Sequence, residues 1–335
     1  MKKLTTDAFL KARDFIFTES DDINRAWFRY NFESGTTADF MDVLAKYQHE
    51  NGGFGGLVYE FEYGGPCLVC TEMAFRYIFH LREKPSAEHE VIRKAIAYLR
   101  SRYRSDVGCW GEEMEPEVND GAHVPWMGYD PDSYPPIANI DERILKYRPN
   151  RQAALAAFVS LYSELVPDEM YRDIVMYPTE KILRYYDESS PLYASSATDD
   201  YSDNDIAVPY NMKCYNQFVT CLKDKALSDK LKAILLQNPT ACMNLNKSNW
   251  ANDFENAPCE IVGFPQSFLY AAVKDEVQES LDALADRMNR EGRWQLRWRL
   301  GEGEAFDKMQ TKYEAHLTML YLAMLNRFGR IDAQP

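Results

Sequence analysis

The sequence predicts an all-α protein made of helical hairpins in series. Three observations carry this. Apolar residues recur at three- and four-residue spacing in about ten to twelve segments. Glycine–aromatic turns separate several of these segments: Gly52-Gly53-Phe54-Gly55, Gly108-Cys109-Trp110-Gly111 and Gly292-Arg293-Trp294. No two neighbouring segments alternate as paired strands do.

The elements follow in order. Thr5 to Thr18 places Phe9, Ala12 and Ile16 on one face, with Thr5 or Thr6 as cap. Ser20-Asp21-Asp22 opens a second helix carrying Ile23, Ala26, Trp27 and Tyr30. Its two aspartates suit a helix N-terminus and are expected to cap it. Gly35 ends that helix, and Thr37 to Gln48 forms a third with Phe40, Val43 and Leu44 inward. The stretch from Gln48 to Leu81 organises the chain. A helix ends at Gln48, a glycine–aromatic turn follows, and Pro66 starts the next helix, where its missing N–H costs nothing. Leu68, Val69, Met73, Ala74, Tyr77, Ile78 and Leu81 give that helix its apolar face. Val91 to Leu99 is amphipathic and closes in Arg100, Arg102 and Arg104. A long acidic and aromatic loop spans 112–150. Arg151 to Leu165 is alanine-rich and packs closely. Pro167 to Tyr186 is a helix that Pro178 should break or kink. Further helices run to Leu222, from Ser228 to Gln237, from Phe264 to Val273 and from Asp275 to Met288. The last carries Tyr313, Leu317, Leu320, Tyr321 and Leu325, and stops at Gly329.

Composition bounds the function. The chain has 335 residues, is 46% hydrophobic and 13% aromatic, and carries a net charge of −14. One domain over 1–335 accommodates that core. The charge opposes a phosphate grip, so no nucleic-acid partner is expected. Seven scattered cysteines and an N-terminus without an apolar core point to reduced thiols in the cytoplasm. No transmembrane segment is long enough to span a bilayer. The oligomeric state is left open.

Gln48 to Leu81 resembles one repeat of the α/α-toroid superfamily, which includes squalene-type and other class II terpenoid cyclases and the β subunits of protein prenyltransferases. In those families a glutamine near a helix end caps a Gly-Gly-Phe/Trp-Gly turn, and the next helix lines a central cavity. The resemblance implies an α/α toroid, a barrel of helical hairpins. Its implied function is a terpenoid-cyclase-like or prenyltransferase-like enzyme on an apolar isoprenoid. Closure of the ring is implied by the resemblance, not by periodicity.

Three sets of residues bear on chemistry. Asp203-Asn204-Asp205-Ile206-Ala207 matches the cyclase Asp-x-Asp-Asp in part. By that resemblance Asp203 is the first carboxylate and Asp205 the proton donor, but Ile206 stands where the last aspartate belongs. The prenyltransferase zinc set is incomplete: His316 lies one place early, and no Asp-x-Cys precedes Cys259. Cys67 and Cys70 have ligand spacing without a second pair. No resident cofactor is therefore expected, with zinc and magnesium left open. The third set is aromatic and acidic. Glu112 and His123 are further catalytic candidates, and Phe54, Tyr63, Trp110, Trp126 and Trp250 are candidates for substrate binding. Aromatic walls suit a carbocation, and the same inventory with Glu112, Glu113 or Asp130 suits a carbohydrate-active lyase or hydrolase. A non-catalytic toroid that binds a small molecule is a third reading.

Overall fold

A computed structural model describes residues 1–111, 113–130, 149–190, 209–240, 243–250 and 257–332. Within these, α1 (Thr6–Glu19), α2 (Asp22–Phe32), α3 (Thr37–Leu44), α4 (Leu68–His80), α5 (Glu90–Arg102) and α6 (Pro149–Leu161) form the first half. The second half holds α7 (Asp168–Tyr185), α8 (Pro209–Cys221), α9 (Lys225–Leu235), α10 (Pro258–Val262), α11 (Lys274–Asp286) and α12 (Glu304–Arg327). One two-stranded ribbon joins β1 (Tyr103–Arg104) to β2 (Cys109–Trp110). The protein is all-α in class.

Two kinds of helix alternate. The odd-numbered helices bury one face, as α1 does with Phe9, Ala12 and Ile16. The even-numbered helices include stretches buried all round: every residue from Ala153 to Val159 of α6 is 0% exposed. A helix apolar on all sides belongs to an inner layer, and an amphipathic one to an outer layer. The even helices touch in sequence. Trp27 of α2 lies edge-on to Tyr77 of α4 at 5.3 Å. Phe75 of α4 stacks on Phe158 of α6 at 4.9 Å. α6 packs along α8, and α8 against α10. Tyr321 of α12 donates its hydroxyl to Glu260 Oε1 of α10 at 2.5 Å. His316 of α12 returns to Asn24 of α2, 2.9 Å from Nδ1 to Oδ1.

The three glycine–aromatic turns share one construction. Each has a left-handed glycine two residues before the aromatic: Gly52 at φ 90°, Gly108 at 64° and Gly292 at 80°. Gly52, not Gly53, is thus the counterpart of Gly108 and Gly292. The aromatic residue's own N–H donates to a side chain of the next even helix. Phe54 reaches Thr71 Oγ1 at 3.1 Å, Trp110 reaches Gln152 Oε1 at 3.0 Å, and Trp294 reaches Thr318 Oγ1 at 3.2 Å. Both indoles donate to the end of the preceding odd helix, Trp110 to Leu99 O and Trp294 to Leu284 O, each at 2.8 Å. The Gln48 side chain donates to Gly52 O and to Val91 O of α5, both at 2.9 Å. Each turn therefore fastens an outer helix to an inner one.

The last turn seats on the first helix. A Cβ at Gly292 would lie 2.4 Å from Lys11 Cβ, just as one at Gly52 would lie 2.2 Å from Lys94 O of α5. Beyond that contact, α1 packs along α12. Leu4 bridges Ile331, and the buried Arg330 guanidinium holds Asp282, Lys2 O and Gln278. The two ends of the chain are fastened to each other and to α11.

Five sequence expectations need correction. Pro66 does not start α4, which begins at Leu68 with Cys67 as its cap. Asp21 and Asp22 make no side-chain cap. Asp21 pairs instead with Lys312 of α12 at 2.9 Å, and Asp22 accepts the Tyr47 hydroxyl. Pro178 does not break α7, which runs through it on the buried face of Ile174, Tyr177, Ile182 and Tyr185. Packing of that face offsets the missing ladder bond. Phe264 to Val273 is a run of tight turns rather than a helix, with bonds from Ser267 N to Phe264 O and Tyr270 N to Ser267 O. Pro265 and the Ser267 hydroxyl, which accepts from Asn216 at 3.0 Å, hold it in that form. The third helix ends at Leu44, and a 3-10 turn continues to Tyr47.

Gly52 combines a left-handed backbone with contact against Lys94 O. Gly52→Ala is expected to cost about 2–4 kcal/mol of unfolding free energy. Gly64→Ala, where an added Cβ meets nothing within 4 Å, is expected to cost about 0.5 kcal/mol or less. Urea unfolding of the two variants checks both.

Candidate functional site

Helix α4 carries Glu72, Arg76 and His80 at four-residue spacing, so the three lie along one face. Glu72 is buried and accepts from Arg76 Nε at 2.6 Å. Arg76 keeps 15% of its side chain exposed on a helix whose other faces are buried. Lys213 of α8 and Arg327 of α12 join this group. Burial first, then Arg327, Lys213, Lys84 and Arg76, hold the His80 imidazole well below its ordinary pKa. Burial, then Arg76 and Lys213, bring His316 down to about 3. The same two cations thus act on histidines of two different inner helices. These cations come from α4, α8 and α12, which are not successive in the chain of inner contacts. Among the described residues, the charged groups acting most strongly on both histidines are cations, in a chain of net charge −14.

His316 anchors a buried polar network. Asn24 Nδ2 donates to Tyr59 OH at 2.7 Å, and Asn24 Oδ1 accepts from His316 Nδ1 and from the Tyr77 hydroxyl. That leaves Nε2 as the lone-pair nitrogen, and it has no hydrogen-bond partner among the described residues. Burial pushes the Tyr59 and Tyr77 phenols up, so both stay protonated. The network supplies neutral donors and one vacant imidazole acceptor.

A second assembly forms where three loops meet. Glu62 N donates to Ala122 O and Val124 N to Glu60 O, both at 2.9 Å, so residues 60–62 run beside 122–124. Val124 packs with Leu300 and Met309, which brings in the segment leading to α12. This holds Trp126 49% exposed, its indole N–H donating to Glu60 Oε1 at 2.9 Å. His123 sits half-buried in the same loop with Nδ1 3.0 Å from Gly121 O. Trp126 and His123 thus lie three residues apart in one loop, each with its own partner, Glu60 and Gly121 O.

The other expected residues divide. Phe54, Trp110 and Trp250 are 0%, 1% and 4% exposed and leave no ring face for a ligand. Phe54 and Trp110 belong to the turns, and Trp250 donates its indole N–H to Asn244 O. Tyr63 is half-buried over Gly65. Glu112, Asp203 and Asp205 lie outside the described residues. Among those described, no three of His, Cys, Asp and Glu are grouped to hold a metal. Cys259 is buried with its thiol pushed up to about 12, chiefly by burial. Cys67 Sγ accepts from Cys70 N at 3.4 Å as a helix cap. No helix among the described residues is long and apolar enough to cross a membrane.

Sequence reasoning passed over Glu72, Arg76, His80 and Lys213. The signal was present: charged residues recurring every fourth position inside an otherwise apolar helix mark a face turned from the core.

Comparison with known proteins adds little. No family model matches the chain. No curated protein matches its sequence. Among solved structures, a glycosidase in complex with glucose covers 92% of this chain and 97% of its own, at 10% identity and a TM-score of 0.37. Similarity of that degree carries no argument about fold or chemistry.

Both depressed histidines bear on stability. A folded pKa below the unfolded value of about 6.5 means that the unfolded chain takes up protons first. The stability they contribute is complete above pH 6.5 and is lost as pH falls, for His316 down to about 3. Between pH 6 and 5 the unfolding free energy is expected to fall by at most about 1.4 kcal/mol per pH unit for each histidine. The lowered carboxylates, Asp39 and Asp282 among them, add to the loss only at lower pH. His316→Gln should remove one histidine's share of the slope. The His316 ring resonances should not titrate down to pH 5.

Proposed function

We propose that the hairpins close into a single-domain α/α toroid whose interior takes an anionic small molecule with an apolar body, of the isoprenoid diphosphate kind. The carrying observation is the convergence of Arg76, Lys213 and Arg327 from three inner helices around His80. Cations drawn into the interior of an acidic protein select against its own surface charge and for an anion. Phe79 and Phe264, edge to face at 5.9 Å beside His80, supply the apolar part. The seating of the final turn on α1 supports closure. The turn chemistry supports the kinship with cyclases and prenyltransferases. Proton chemistry is assigned, on sequence grounds alone, to Asp205 with Asp203.

A second reading has its own observation. Trp126, half exposed and oriented by Glu60, is a flat platform beside a carboxylate, as a sugar ring requires. It makes the rim a glycan site and the cyclase kinship one of architecture.

Calorimetry with farnesyl diphosphate, inorganic diphosphate and maltotriose separates the two. The first reading predicts binding of farnesyl diphosphate, weaker binding of inorganic diphosphate, and a loss of about tenfold or more in Lys213→Gln. Trp126→Ala should leave that binding unchanged. Maltotriose binding that disappears in Trp126→Ala, with no affinity for either diphosphate, refutes it in favour of the glycan reading.

A further inference from the structure

Helix α4 opens on two cysteines that the proposed function does not use. Cys67 is its cap, and Cys70 lies in its first turn. Both are buried. The Cys67 sulfur accepts from Cys70 N at 3.4 Å, so its side chain folds over the helix end toward Cys70. The Cys67 backbone is fixed on both sides. Its N–H donates to Phe54 O at 3.0 Å, and its carbonyl accepts from the Thr71 hydroxyl at 2.8 Å.

The neighbouring loop supplies a second observation. Gly56 is left-handed at φ 67°. The successive N–H groups of Gly56, Leu57 and Val58 donate to no backbone carbonyl among the described residues. Leu57 and Val58 are buried, so their amides need another acceptor. The Cys70 sulfur fills that role for all three. Successive amides around a left-handed residue make a nest that favours an anion. Burial pushes the Cys70 thiol up, but the Cys67 thiol and the amides of Leu57, Val58 and Gly56 outweigh it and hold Cys70 below its ordinary value. Cys67 goes the other way: its hydrogen bond to Cys70, then burial, push its thiol up. One sulfur favours the thiolate while the other, beside it, keeps its proton.

We infer that Cys67 and Cys70 are a redox-active pair, which a small hydroperoxide converts to a disulfide and which thereby loosens the loop at 56–58. The Cys70 sulfur attacks one oxygen of hydrogen peroxide. The O–O bond breaks, the other oxygen leaves as water with the proton that Cys70 gave up, and Cys70 becomes a sulfenic acid. The Cys67 sulfur then attacks the Cys70 sulfur. The S–O bond breaks, and a second water leaves with the Cys67 proton. Two thiols and one peroxide give one disulfide and two waters. Peroxide is little larger than water and reaches the pair in local openings of the loop, whose Glu62 and Gly64 are exposed. Oxidation takes the anion out of the nest. The same loop carries Tyr59 and Glu60, which hold Asn24 and Trp126, so the buried network and the rim both sense the change. The inference does not rest on what the interior binds.

The test treats the folded, reduced chain with hydrogen peroxide, digests it with trypsin and reads the peptides by mass spectrometry. Peptide 47–76 holds Cys67 and Cys70 and no other cysteine. It is expected to lose two hydrogens while Cys259, buried with its thiol pushed up to about 12, stays reduced. Cys67→Ser keeps a capping oxygen and should stop at a Cys70 sulfenic acid that dimedone traps. Exchange of the Leu57 and Val58 amides should quicken at least tenfold on oxidation. Three results would overturn the inference: Cys259 oxidised as fast as peptide 47–76, Cys70→Ser leaving Cys67 oxidised at the wild-type rate, or a disulfide that leaves exchange at Leu57 and Val58 unchanged.

Discussion

The amide of one aromatic residue, caught by a side chain of the following inner helix, is the contact on which this architecture rests. It occurs at Phe54, Trp110 and Trp294. A turn between two helices leaves carbonyls unpaired at one end and N–H groups at the other. Here the turn answers the carbonyl end at Trp110 and Trp294, where the indole N–H serves the outer helix, and at all three sites its own amide is tied to an acceptor on the inner helix. Because the aromatic ring is buried at the same point, polar satisfaction and apolar burial fix a single geometry. The left-handed glycine two residues earlier follows from the same constraint, since the turn must reverse while pressed against the next outer helix.

From this arrangement the partition of the chain follows. Outer helices need one apolar face and carry the solvated charges. Inner helices are enclosed by two inner neighbours and an outer layer, so an apolar residue is the default at every position. Polar residues there stand out by contrast. Asn24, Tyr77 and His316 satisfy one another and cost little, apart from the vacant imidazole nitrogen. Arg76 and Lys213 are different, because they bring charge into this layer, Arg76 as a pair with Glu72 at 2.6 Å. The rim platform at Trp126 is a separate device, built from loops rather than helices.

The all-α class and most helices were legible, because periodicity and caps are local. The turns at Phe54, Trp110 and Trp294 were legible for the same reason. Asp21 misled because its N-terminal position satisfies a local rule, while its partner Lys312 is far away in sequence. Pro178 misled because the burial of Tyr177 and Ile182 outweighs a local penalty. The face of Glu72, Arg76 and His80 was written in the sequence as a four-residue period, but attention to the apolar residues of α4 concealed it. Their convergence with Lys213 was not legible, since it depends on which inner helices oppose one another.

If the hairpins form one closed ring, the three turn amides are held by a single cooperative structure. Native-state hydrogen exchange at Phe54, Trp110 and Trp294 tests this directly. The account predicts that all three exchange only through global unfolding, with free energies within about 0.5 kcal/mol of one another. Exchange of Trp294 at a clearly lower free energy than Phe54, with α1 opening alongside it, would show an open array of hairpins and contradict closure.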